Sequence, residues 1–126
     1  MRLLMLATVG GAIGAGARHL VNIGFGRWLG PHFPWSTVFI NIVGSLLMGV
    51  VIEALALRFS GSLELRTFLA TGILGGFTTF SAFSLDAVTL IQRGDMSSAA
   101  LYIGGSVMLS ILGLYAGLSL ARAVLT

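Results

Sequence analysis

Three sets of polar residues are set into otherwise apolar sequence, each at a spacing that brings its members together. Thr37, Asn41 and Ser45 are four apart, as are Tyr102, Ser106 and Ser110. On a helix each set forms one stripe. The third set is Gly75-Gly76-Phe77-Thr78-Thr79-Phe80-Ser81-Ala82-Phe83-Ser84, where four hydroxyls are threaded between three phenylalanines behind a glycine pair. An asparagine amide carries two N–H donors and one acceptor oxygen, and hydroxyls both donate and accept. In hydrocarbon such groups must find partners. Two donor stripes beside a broken helix could line a narrow polar path. No nucleophile, base and orienting group come together in the pattern, so an enzyme is not expected.

The third set predicts a transmembrane helix broken at its centre. Glycine loses the most entropy on ordering, so a glycine pair weakens a helix. Serine and threonine hydroxyls can bond the backbone groups so freed. An interruption at membrane depth is tolerated only inside protein or beside a watery cavity, and such breaks mark ion or substrate sites. A packing role competes with this reading: small and hydroxyl residues let membrane helices approach. Phe77, Phe80 and Phe83 at three-residue spacing lie near one face, and such a row often only packs. For Asn41 the competing role is glue between helices.

These residues need elements to position them, and composition says which. The chain has 126 residues, 56% of them hydrophobic and 9% charged, with a mean hydropathy of +1.01. Soluble domains carry roughly 25% charged residues, so this chain cannot cover a water-facing surface and belongs in a bilayer. Uncharged runs cover Leu3–Ala17, Phe33–Ile52, Thr67–Leu85 and Met96–Ala121. A span takes about 20 residues. The prediction is an all-α, four-helix transmembrane domain over residues 1–126, with spans at about Leu3–Ile23, Trp35–Leu57, Thr67–Leu85 and Ser98–Leu120. Cysteine is absent, which excludes disulfides and thiolate metal sites. The net charge of +3 is thinly spread, and no basic cluster suggests nucleic acid. Arg2, the apolar run and Ala15-Gly16-Ala17 resemble a signal peptide, but one arginine is a weak n-region and the glycines thin the run, so a retained first span is expected.

The first link, Gly24 to Pro34, is turn-rich, with Trp28 and Trp35 suited to the headgroup level. Glu53, Arg58 and Asp86 read as interfacial, and Arg18 as a snorkelling residue near the end of span one or one facing a vestibule. Arg2, Arg58, Arg66 and Arg122 fall on one side of the membrane and Arg18, Arg27 and Arg93 on the other, with no lysine in the chain. That bias is too small to fix orientation under the positive-inside rule. Insertion both ways round, and an antiparallel pair of copies, are the expectation.

Nearly the whole chain resembles the small bacterial fluoride channels called Fluc or CrcB. The most specific match is Gly72-Ile73-Leu74-Gly75-Gly76-Phe77-Thr78-Thr79-Phe80-Ser81-Ala82-Phe83-Ser84, supported by Gly10-Gly11-Ala12-Ile13-Gly14-Ala15-Gly16-Ala17-Arg18 and by Thr37 through Asn41 to Gly44. Ser36, Ala82 and Asp86 depart from the family's usual Gly, Thr or Ser, and Glu. The resemblance implies a dual-topology homodimer in the bacterial inner membrane, exporting fluoride passively through two pores around a central structural sodium ion. It implies that the backbone carbonyls of Gly75 and Thr78 hold the sodium. Asn41, Phe80 and Phe83 would line the pore with Thr79 and Ser81 beside them. Tyr102, Ser106 and Ser110 would form a polar track, and Arg18 would stand in a vestibule. The scheme is physically coherent. A small, tightly hydrated anion needs donors in place of water, and aromatic ring edges carry partial positive charge. A proton-coupled small-molecule antiporter of dual topology is the alternative, but it would want an acid well inside a span. A structural subunit of a larger complex would explain the glycines and not the stripes.

Overall fold

The computed structural model describes residues 1–126, all helical apart from short links. Helix α1 covers Arg2–Leu29 and α2 covers Trp35–Arg58. The third span, Leu63–Gln92, is built in pieces. These are α3 (Leu63–Arg66), a π-helical stretch (Thr67–Leu74), α4 (Gly75–Phe77) and, after two extended residues, α5 (Phe80–Gln92). Helix α6 covers Met96–Leu125. All four spans are long and apolar enough to cross a membrane. Only 19 of the 126 residues are buried, so most apolar side chains point outwards, as a lipid-facing surface requires. The protein is a multi-pass membrane protein.

Helix α1 runs six residues past its expected end at Ile23, to Leu29. Gly24 and Gly26 cost the helix only about 1 kcal/mol each against alanine, and the chain turns instead at Gly30, whose φ of 75° suits glycine. The first link is therefore Gly30–Pro34. Helix α6 likewise extends beyond the expected Ser98–Leu120, starting where Asp95 caps it by accepting from the Ser98 N–H at 3.3 Å.

The helices pack as two intimate pairs, and glycine decides both. Helix α1 lies against the π-helical stretch and α4, while α2 lies against α6. A Cβ built on Gly14 would run into the Ile73 carbonyl, and one on Gly76 would stand 2.5 Å from the Gly11 oxygen. In the other pair a Cβ on Gly49 would meet the Leu114 carbonyl, and one on Gly117 the Leu46 carbonyl. The glycine pair Gly75-Gly76 therefore does not open the break, contrary to expectation. Gly75 has helical dihedrals, φ −63° and ψ −38°, and Gly76 is needed for contact with α1. Gly76→Val should cost more than the about 1–3 kcal/mol of ordinary overpacking, because backbone cannot move aside as a side chain can. Gel filtration should show most of the folded species lost, with Gly104→Ala, which meets nothing, as the tolerated control.

Charged groups near the ends are tied up locally. Arg122 Nε lies 3.2 Å from Glu53 Oε1. Arg58 donates to the Leu125 carbonyl from Nε at 3.2 Å and Nη2 at 2.7 Å. Both ties hold the C-terminal end of α2 to that of α6.

Candidate functional site

The break lies at Thr78 and Thr79, which are extended, with φ/ψ of −78°/159° and −152°/120°. Room for it comes from α2. A Cβ on Gly44 would collide with Thr78 Cγ2. The threonines satisfy what they interrupt. Thr78 donates both its N–H (3.0 Å) and its hydroxyl (2.9 Å) to the Leu74 carbonyl. Thr79 caps α5, its Oγ1 accepting from the Ala82 N–H at 3.1 Å, and lies 3.3 Å from the Ser81 hydroxyl. Phe77 and Phe80 end up on opposite sides of the break, so the row of three phenylalanines on one face is not formed.

Asn41 reaches this break from α2. Its Nδ2 donates to the Thr79 carbonyl at 3.1 Å, and its Oδ1 accepts from the Thr79 N–H at 2.9 Å. The amide thus replaces both helical bonds of one residue, and one N–H remains for another acceptor. Helix glue and polar lining, posed above as competing roles, are combined in this one side chain.

Four backbone carbonyls, those of Gly75, Gly76, Phe77 and Thr78, lose their helical donors at the break, and for the first and last the competing acceptor is a side chain. In an unbroken helix the Gly75 carbonyl would accept from the Thr79 N–H, which instead serves Asn41. The Thr78 carbonyl would accept from the Ala82 N–H, which instead serves the Thr79 hydroxyl. Gly75 is exposed.

An open cleft of about 380 Å³ lies beside the break. It is lined by Asn41 and Ser45 of α2, Thr79, Phe80 and Phe83 of the third span, and Ser106 and Ser110 of α6. Two members of each stripe, Asn41 with Ser45 and Ser106 with Ser110, therefore face the break from two sides, while Thr37 and Tyr102 lie outside the cleft. The Ser106 and Ser110 hydroxyls are buried and have no hydrogen-bond partner within the chain, a costly condition in a low-dielectric interior. Phe80 is 77% exposed and Phe83 8%, with ring centroids 5.5 Å apart. Ser45 joins Asn41 here as the next member of its stripe, while Gly44, which no polar pattern marks, lines the cleft as well. Ser81 is exposed and Arg18 half-buried. Neither lines this cleft, and Arg18 makes no hydrogen bond or ion pair within the chain.

Tyr102 sits apart from the cleft, only 1% exposed. Its hydroxyl donates to Asp86 Oδ2 at 3.0 Å, and the Thr37 hydroxyl donates to the same oxygen at 2.8 Å. Asp86 is thus half-buried between three helices rather than free at the water interface. Spacing places Asp86 near the end of its span, but only packing brings Thr37 and Tyr102 to it. Asp86→Ala would leave two hydroxyls without an acceptor at about 1–3 kcal/mol each. Its midpoint in thermal unfolding should fall well below that of Asp86→Asn, which keeps one oxygen to accept.

With this geometry in view, residues 5–118 match the family described as "CrcB-like protein, Camphor Resistance (CrcB)". The chain belongs to this family. Among curated CrcB relatives, the protein of Nitrobacter winogradskyi is 53% identical over 121 residues, covering 96% of each chain. That of Chelativorans sp. strain BNC1 is 57% identical over 122 residues, covering 97% of this chain and 98% of the relative. That of Mesorhizobium japonicum is 56% identical over 121 residues, covering 96% and 97%. Each is named a fluoride-specific ion channel, FluC. These relatives are thus named as channels and not as enzymes.

Proposed function

We propose that the chain is a fluoride channel of the bacterial inner membrane, exporting the ion passively through two pores in an antiparallel homodimer. The observation that carries this reading is the break cleft. There Phe80 and Phe83, the remaining Asn41 N–H and the unpartnered hydroxyls of Ser106 and Ser110 converge. Fluoride shedding its water needs such donors, and ring edges suit an anion. An open cleft and a solvent-exposed Phe80 on a protomer also suit coverage by a second copy. The near-even arginine count supports opposed insertion of the two copies. A proton-coupled antiporter is less well supported, because Asp86 is already engaged by two hydroxyls at one end of its span.

A structural sodium ion fits the residues present. The Gly75 and Thr78 carbonyls are oxygen ligands freed of their helical donors, and hard cations take oxygen. When bound, sodium would offset the dipoles of the broken helix.

Fluoride-electrode efflux from liposomes holding the purified protein tests the function. Rapid efflux of fluoride with chloride retained is expected, and no efflux overturns the reading. Replacing sodium by N-methylglucamine should weaken the dimer on gel filtration. C-terminal reporter fusions should show both orientations, and one orientation alone would refute the opposed pair.

A further inference from the structure

Beyond the break cleft the polar stripes of α2 and α6 continue as two facing rows. In four-residue steps α2 presents Asn41, Ser45, Gly49 and Glu53, and α6 presents Ser106, Ser110, Leu114, Leu118 and Arg122. The first two members of each row line the break cleft. Further along, a Cβ on Gly49 would run into the Leu114 carbonyl and stand 2.8 Å from the Leu118 nitrogen. The rows end where Arg122 Nε meets Glu53 Oε1 at 3.2 Å, with the Glu53 side chain only 15% exposed.

Most contacts along this seam repeat with each helical turn and do not choose a register. Gly113 faces the Ile42 carbonyl and Gly117 the Leu46 carbonyl. Sliding α6 by four residues, about 6 Å, would put Gly113 in the place of Gly117. Leu109 would take the place of Gly113, where a Cβ finds nothing nearer than 3.3 Å. Arg58 binds the Leu125 carbonyl, and a carbonyl recurs at every turn. Two contacts do not repeat. At the far end Thr37 of α2 and Tyr102 of α6 meet on Asp86. At the near end stands the ion pair, since after the slide the apolar Leu118 would face Glu53.

We infer that Glu53 and Arg122 are positioning residues that lock the register of α2 against α6 and so hold Ser106 and Ser110 at the level of Asn41 and Ser45. For its effect on flux the inference rests on the channel reading above. A half-buried carboxylate left without its partner is costly in a membrane span. A single polar contact in an otherwise apolar helix seam selects one register among several.

The absence of cysteine lets the register be read directly. In a chain carrying Ser45→Cys and Ser110→Cys, a short bifunctional thiol reagent should join the two within one chain, as peptide mass spectrometry reports. Adding Arg122→Gln should weaken this link. It should strengthen the link from Ser45→Cys to Ser106→Cys, which the slide brings into the place of Ser110. The Arg122 side chain is 66% exposed, so the fold can form without it, and Glu53→Gln is the second variant. Fluoride efflux is measured in chains without added cysteine, on the gel-filtered dimer alone. It should fall about tenfold in either variant, equivalent to at least 1.4 kcal/mol between the registers. Glu53→Arg combined with Arg122→Glu restores the pair and should recover the parent link and most of the flux, which lost packing alone would not do. Links unchanged in both single variants overturn the lock. A moved link with full flux overturns the positioning role. A parent chain that passes no fluoride would instead refute the channel reading, and the links still decide the lock.

Discussion

Asn41→Leu is expected to abolish most fluoride flux and to lower the stability of the protein at the same time. The side chain holds the break by both the N–H and the carbonyl of Thr79. Leucine fills similar space and offers neither bond. A buried backbone group left without a partner costs about 1–3 kcal/mol, so the two together cost about 2–6 kcal/mol. Each 1.4 kcal/mol is about tenfold in an equilibrium. The open, extended conformation of Thr78 and Thr79 should therefore be depopulated by at least tenfold, and the freed Thr79 N–H can then return to the Gly75 carbonyl. Efflux from liposomes should fall by at least that factor, and the thermal midpoint should drop. Asn41→Asp keeps an oxygen for the Thr79 N–H and should retain more of the stability. A loss of flux with the thermal midpoint unchanged would mean that Asn41 serves the ion alone and does not hold the break.

Replacing the two ring edges should separate packing from coordination. Phe83 is buried among Ala87, Leu90, Ala99 and Tyr102. Phe83→Ile should therefore cost stability, by the about 0.5–1.5 kcal/mol that an aromatic pair adds beyond its area, besides any effect on the ion. Phe80 is 77% exposed and has one aromatic contact within the chain, with Phe83 at 5.5 Å. Phe80→Ile should therefore cost the folded protomer no more than about 1 kcal/mol. If its edge meets the anion, fluoride efflux should still slow by an order of magnitude or more, with no chloride path opened. Ordinary flux in Phe80→Ile, with the dimer confirmed by gel filtration, would remove the ring from the ion path. The pair is informative because one ring is buried in the core and the other is largely exposed on the single chain.

The sequence alone determined the class and much of the lining. Charge scarcity and four uncharged runs require four spans, because no other arrangement hides that much apolar surface from water. The four-residue spacing of Thr37, Asn41 and Ser45, and of Tyr102, Ser106 and Ser110, fixes two polar faces through helix geometry alone. The hydroxyl-rich run marks the broken span. What each polar group does was decided by tertiary structure. The break fell on Thr78-Thr79 rather than on the glycines, because Gly76 is held helical against Gly11 while Gly44 leaves room for Thr78. Asn41 became a clamp because α2 delivers it to Thr79. Asp86, 49 residues from Thr37 and near the end of its own span, became the acceptor of two hydroxyls. Periodicity is a property of one helix, so it orients a side chain about its own axis. The depth and rotation at which helices meet depend on where backbone can touch backbone, and that is a property of the packed molecule.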